Sequence, residues 1–356
     1  MMQQNSVGFL KRLLALAGPS GYEAAPARAW REEAEAFADR VWADVAGNSF
    51  AMVNPDSEPR VMLAGHIDEI GFMINHIDDE GFLHFSTIGG WDPEIIVGQR
   101  VEVQTTRGPL PGLVGKKAIH LMEKEDRDRP SRIKDLWIDI GAKDGADARE
   151  RVRVGDAAVL DVRVVDLPNG RIASRSIDNR VGAFVVLEAL RRLAVERPSV
   201  GVVAVATAQE ELGVAGGGAR IGAFGLDPRV AVVVDVTHAT DHPGAEKKGQ
   251  GDHRLGGGPV LSRGSAVNPV LFERMAHVAD SESIPFSIEA SPSRTSTDAD
   301  SIYTARMGIA TALVSVPNRY MHTPNEMVEL DDLDRAAELI AATVRTLTAA
   351  DDFVPV

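Results

Sequence analysis

The strongest constraint on this chain is an alternation of apolar strand-like runs with helical patterns, each run ending abruptly in charged or polar residues. "VGAFVVLEALRRLAVE" (181–196) has helical periodicity, and the strand-like "VGVVAVATA" that follows ends in two adjacent glutamates, Glu210 and Glu211. A Gly-rich helical region at 215–224 leads to the strand "VAVVVD" (230–235). Then come a helix near 269–281, strands near 285–290 and 310–316, and a closing helix, "DLDRAAELIAATVRTLTAA". Strands alternating with helices predict an α/β fold, a mixed sheet sandwiched by helices.

Between about 70 and 165 the texture changes. "GFLHFSTIG", "QRVEVQTT", "PLPGLVGKK" and "DAAVLDVRVV" are short alternating strands punctuated by Gly, Pro and Asp. That pattern predicts a small β-barrel or sandwich inserted at 70–165, with 1–69 and 166–356 forming the α/β domain. Near the start, leucines at 10, 13, 14 and 16 predict an amphipathic helix rather than a signal peptide, because Lys11 and Arg12 interrupt the apolar stretch. A second helix is expected over 22–38, and "RVMLAG" (60–65) is expected to be a short strand.

Composition narrows the chemistry. A chain of 356 residues exceeds one ordinary core. Its net charge of −14 argues against nucleic acid or an anionic membrane as partner. There is no cysteine, so any metal must rest on histidine and carboxylates. No run is long enough to span a membrane, and a cytoplasmic location is expected.

In open α/β sheets, functional groups gather where strands end. "VMLAG" delivers His66 and Asp68, "VAVATA" delivers Glu210 and Glu211, "AVVV" delivers Asp235, and "TALVSV" is followed by His322. Asp178, in "SRSIDNRVG", precedes a long helix. Each has a plain structural alternative: Asp178 as a helix cap, His322 as a turn residue, the glutamates as a solvated pair. Together they match a two-metal site of nitrogen and oxygen donors for Zn²⁺, with Co²⁺ or Mn²⁺ as alternatives. Five ligands suffice: His66, Asp178, Glu211, Asp235 and His322. Asp68 then faces the far nitrogen of His66, and Glu210 is left as the base. For both glutamates to serve one site the chain must turn there, since strand neighbours point to opposite faces. His76, His84, His120 and His277 do not join the site. His238, His242 and His253 fall in a Gly-rich loop and read as surface, and the "GGG" stretches at 216–218 and 256–258 lack a phosphate-binding frame.

Several stretches, in order, resemble metallopeptidase family 42, the glutamyl and tetrahedral aminopeptidases, some of whose members carry endoglucanase-like names. They are "AGPSGYE", "AGHIDEIGFMI", "GGWDPEIIVGQRVEV", "SRSIDNRVG", "ATAQEELGVAGG", "VVVDVTHATDHPG", "LGGGPVL", "STDAD" and "VPNRYMHTPNE". The resemblance implies Glu210 as general base and Asp178 as the bridge. It implies His66 and Asp235 on one metal, and Glu211 and His322 on the other. It further implies that the inserted domain mediates dimerisation, within a homo-oligomer that can extend to a tetrahedral dodecamer. The substrates implied are short peptides with a free N-terminus. "SPSRTS" before "TDA" departs from the family's Gly-rich pattern, which bears on side-chain preference. Two other readings are a metal-dependent carboxypeptidase or acylase, and a non-catalytic metal-stabilised assembly subunit. The separation of 110 positions between Asp68 and Asp178 favours the aminopeptidase over the first, and the surplus Glu210 disfavours the second.

Overall fold

The computed structural model describes residues 4–127, 129–215 and 217–355. Its strands are β1 (Arg40–Ala43), β2 (Ser49–Val53), β3 (Arg60–His66), β4 (Gly71–Ile77), β5 (Leu83–Ile88), β6 (Arg100–Thr105), β7 (Gly108–Lys116), β8 (Leu136–Asp139) and β9 (Ala157–Leu160). They continue as β10 (Val165–Leu167), β11 (Arg171–Ser174), β12 (Gly201–Thr207), β13 (Val230–His238), β14 (Val260–Gly264), β15 (Ser287–Ser291), β16 (Ala310–Asn318) and β17 (Glu326–Glu329).

Eight strands form one mixed sheet in the order β1-β2-β12-β3-β13-β16-β14-β15, with parallel pairing from β12 through β3 and β13 to β16. Helices cover both faces, and the two-residue period of β12 supplies both. Val202, Ala204 and Ala206 pack beneath the helix Ile177–Val195, while Val203 and Val205 face the helix Gly218–Leu226. A side chain at Gly65 would lie 2.5 Å from the carbonyl carbon of Gly182. Glycine there lets β3 and the helix Ile177–Val195 approach closely.

Six strands close into an antiparallel barrel, β4-β5-β8-β7-β6-β9, filled by Phe72, Ile74, Leu83, Phe85, Val101, Val103, Val114 and Ile138. A third sheet, β10-β11-β17, pairs the strand that follows His322 with the segment leading into the helix Ile177–Val195.

The helix expected over 22–38 is shorter, Ala24–Ala34, and the β1–β2 hairpin after it was not anticipated. Its turn is made by Asp44, whose side chain accepts from the backbone N–H groups of Ala46 and Asn48. The first helix, Gln4–Ala15, buries Leu10, Leu13 and Leu14 as the spacing predicts. No helix among the described residues is long and apolar enough to cross a membrane.

Candidate metal centre

Because β12, β3, β13 and β16 run parallel, the residues at and beyond their carboxyl ends share one sheet edge. His66 ends β3 and Asp235 lies near the end of β13, while His322 follows β16 after a tight turn. His66 Nε2 is 3.2 Å from Asp178 Oδ1, 3.7 Å from Glu210 Oε2 and 3.8 Å from Asp235 Oδ1. The other oxygen of Asp178 is 3.2 Å from His322 Nε2, which is also 3.4 Å from Glu211 Oε2. One carboxylate thus faces both imidazoles, and all seven residues singled out by the sequence lie in one cluster. Donor atoms of His66, Asp178 and Glu211 fall within 4.8 Å of one another, a spacing compatible with one shared ion.

The turn needed by the two glutamates is present. β12 ends at Thr207, Gln209 adopts a φ of +60°, and a 3-10 turn starts at Glu210. Buried side chains hold this turn from below. Asp68 accepts from the backbone N–H groups of Glu210 and Glu211 at 3.1 Å each, and from the Ser20 hydroxyl at 2.6 Å. Glu23 accepts from the N–H of Gln209. The "AGPSGYE" loop is therefore the floor of the glutamate turn. Asp68 also lies 3.3 Å from His66 Nδ1, but without a hydrogen bond to it. Asp68 thus faces the imidazole and grips the turn with the same carboxylate.

Asp178 is not the cap of the helix that follows; Asn179 fills that place, accepting from the backbone N–H of Gly182 at 3.0 Å. Asn179 beside it donates to the carbonyl of Val234 at 2.8 Å, tying this corner to the end of β13 next to Asp235. His322 also has a positive φ, +59°. Its Nδ1 lies 2.9 Å from the carbonyl of Gly90, beyond β5 of the barrel, which turns Nε2 toward the carboxylates. At the adjacent Gly89, with φ +73°, a side chain would come within 2.5 Å of Ile70 and 3.3 Å of Glu211. The barrel thus reaches back to form part of the site.

Burial of so many acids in one place sets the electrostatics. Burial works against a charged His66, yet Glu210, Asp178 and Asp68 hold its pKa well above the ordinary 6.5. Burial pushes Glu210 up to about 9, with Asp235, Asp298 and Asp178 adding to the rise against the opposing pull of His66. Glu211 and Asp235 are raised well above their ordinary values, by burial first and by neighbouring carboxylates after it. Asp178 is lowered: burial opposes its charge, but His322 and His66 outweigh it. Among the described residues the cavity wall includes one arginine, Arg294, and no lysine. Glu211 Oε1 is buried without a hydrogen-bond partner. Crowded carboxylates, paired imidazoles and an orphaned buried oxygen fit divalent cations, which supply the missing positive charge.

The cavity encloses about 600 Å³, room for a peptide end rather than a folded chain. Ser291, Pro292, Arg294, Thr295 and Ser296 of the "SPSRTS" stretch form part of its wall. Two functional candidates escaped the sequence reading, although both lie in quoted stretches. Asp298, of "STDAD", is buried in the wall and accepts from the Thr207 hydroxyl at the end of β12. Glu326, of "TPNE", is buried beneath Asp178 and His322. Of the loop histidines, His238 lines the cavity and His242 packs near Tyr320. His253 is buried rather than on the surface, its Nδ1 2.8 Å from the Ser287 hydroxyl. Residue 216 of the first "GGG" lies outside the described residues; Gly258 of the second donates to Asp332.

Comparison with known proteins places the chain among the hydrolases, in the peptidase class. The chain belongs to the M42 glutamyl aminopeptidase family, whose pattern it matches over residues 47–339. It is 35% identical over 350 residues to a lysyl aminopeptidase of Pyrococcus furiosus, covering 97% of this chain and 98% of that one. Its fold is similar to the crystal structure of a TET aminopeptidase from a marine-sediment archaeon of the Thaumarchaeota, with a TM-score of 0.92, 32% identity and 98% of each chain covered. The Pyrococcus horikoshii TET1 peptidase, described as able to assemble into a tetrahedron or a large octahedral shell, gives a TM-score of 0.83 at 30% identity. The match covers 96% of this chain and 100% of that one.

Proposed function

We propose that the chain is a two-metal aminopeptidase that releases the N-terminal residue from short peptides, with Glu210 as general base. The observation that carries this reading is the division of Asp178 between the two histidines, one oxygen 3.2 Å from each Nε2. A carboxylate so placed suits a bridge between two cations. Asp235 stands on the His66 side and Glu211 on the His322 side, so each position has its own histidine and carboxylate. Glu210 is left beside the centre without a ligand's duty.

Bound divalent cations, Zn²⁺ foremost with Co²⁺ or Mn²⁺ as alternatives, supply Lewis acidity that polarises a carbonyl and acidifies a water. Glu210 takes the proton of the attacking water on its carboxylate and returns it to the departing amine. The buried turn under Glu210 keeps that carboxylate aimed at the centre through both transfers. Asp298, with Thr207 as its one side-chain hydrogen-bond donor among the described residues, is a carboxylate available for the free amino terminus of a substrate. Its place in the same wall supports removal of single residues from an N-terminus.

The same reading takes 70–165 as an inserted dimerisation domain and 1–69 with 166–356 as the catalytic domain, in a homo-oligomer. The closed barrel and the assembly described for the Pyrococcus horikoshii relative support it. The test is metal-stripped protein resupplied with Zn²⁺, Co²⁺ or Mn²⁺ and offered a panel of aminoacyl-nitroanilides. Metal-dependent release from free-amine substrates, with none from N-acetylated ones, is expected. Faster cleavage of the N-acetylated substrates would overturn the reading in favour of an acylase or endopeptidase.

A further inference from the structure

His66 and Asp235 are held by the main sheet: His66 pairs with Thr207 across β3 and β12, and Asp235 with Ser315 across β13 and β16. The two groups that meet on the other side have no such support. Asp178 sits in a non-helical corner ahead of its helix, and His322 in a positive-φ turn after β16. Something else must set their separation.

Glu326 lies between them. Antiparallel pairing of β11 with β17 places Glu326 opposite Ser174, just upstream of Asp178 in the chain. Its buried carboxylate is divided: Oε2 accepts from the backbone N–H of Asp178 at 3.0 Å, and Oε1 from the backbone N–H of His322 at 2.8 Å. Neither arginine nor lysine forms an ion pair with it among the described residues. A buried carboxylate is costly to keep unless its oxygens are used. Here both oxygens go to the backbones of two residues that bear donor atoms, brought together from 144 positions apart (322 − 178).

We propose that Glu326 is a positioning residue that builds the His322 side of the centre selectively, fixing the distance between Asp178 and His322, while the His66 side depends on the main sheet. The inference rests on the two-cation reading above. Hydrogen-bonded partners behind metal ligands typically account for about 10–100-fold in metal affinity.

The test is Glu326→Gln, which leaves one acceptor oxygen for two N–H donors. Metal-stripped wild type and variant are titrated with Co²⁺ against a chelator, following the visible absorption of each bound ion, and thermal unfolding of both metal-free proteins is measured alongside. In the variant, one ion should bind within about threefold of its wild-type affinity and the other about 10–100-fold more weakly. Glu326→Asp, whose shorter carboxylate cannot span both N–H groups, should give the same split and serves if the glutamine variant does not fold. Two ions bound as in wild type, or two weakened equally, would overturn the inference and leave the two-cation reading standing. Wild type that takes up a single ion would overturn both.

Discussion

Asp68 accepts a hydrogen bond from the backbone of Glu210, N–H to Oδ1 at 3.1 Å, and its second oxygen does the same for Glu211. A charge on one strand end thus fixes the turn at the end of the next. Asparagine at position 68 keeps one acceptor and presents an NH₂ group to the other N–H. Asp68→Asn should lower kcat about 10–100-fold while KM moves little, because the base is misaimed and the pocket wall is intact. Steady-state kinetics on an aminoacyl-nitroanilide checks this; an unchanged kcat counts against the anchoring role.

Glu210→Gln removes the base and spares the ligands. Turnover should fall by about 10²–10⁴-fold, with metal content by elemental analysis unchanged. Near-wild-type turnover in this variant would remove Glu210 from the mechanism.

Beneath the site, Arg180 is fully buried and pairs with Glu69 at 2.8 Å, while donating to the carbonyls of Leu13 and Ile67. Glu69 also takes Arg175 and the N–H of Gly18. Arg180→Met leaves a buried carboxylate short of one partner and takes the side-chain donor from the carbonyls of Leu16 and Ile67. A loss of about 3–5 kcal/mol in unfolding free energy is expected, measured by denaturant titration. The first helix, β3 and the Asp178 corner meet at this arginine, so activity should be lost at lower denaturant as well.

Asp332 offers a pH test away from the metal centre. It is buried, and burial pushes its pKa up to about 7, although the N–H groups of Gly256 and Gly258 pull it down. The folded protein therefore keeps a proton that the unfolded chain, with the ordinary 3.8, releases. The contribution of this group to stability is fully present below about pH 4 and is lost as pH rises through about 7. Between those limits wild type should lose stability relative to Asp332→Asn by up to about 1.4 kcal/mol per pH unit. Unfolding curves of the two proteins across that range supply the difference, and parallel curves would refute the assignment.

By itself the sequence determined the layers and the raw material of the site. Apolar runs that alternate with helices can bury both faces only as a covered sheet, and a polar residue closing such a run must emerge at the sheet edge. Hence His66, Glu210, Glu211 and Asp235 were legible, and so was the need for a turn at the glutamates. The texture of 70–165 likewise announced a separate β unit, though its closure into a barrel depends on the pairing of β4 with β9, which no local pattern encodes. Only the tertiary structure decided what holds the site in place. Asp68, Glu23, Glu326 and Gly90 act through backbone N–H and carbonyl groups that every residue carries, so their partners leave no mark on the sequence. A side-chain donor can be recognised by its type. A backbone partner is selected by register and proximity alone, and these exist only once the chain has folded.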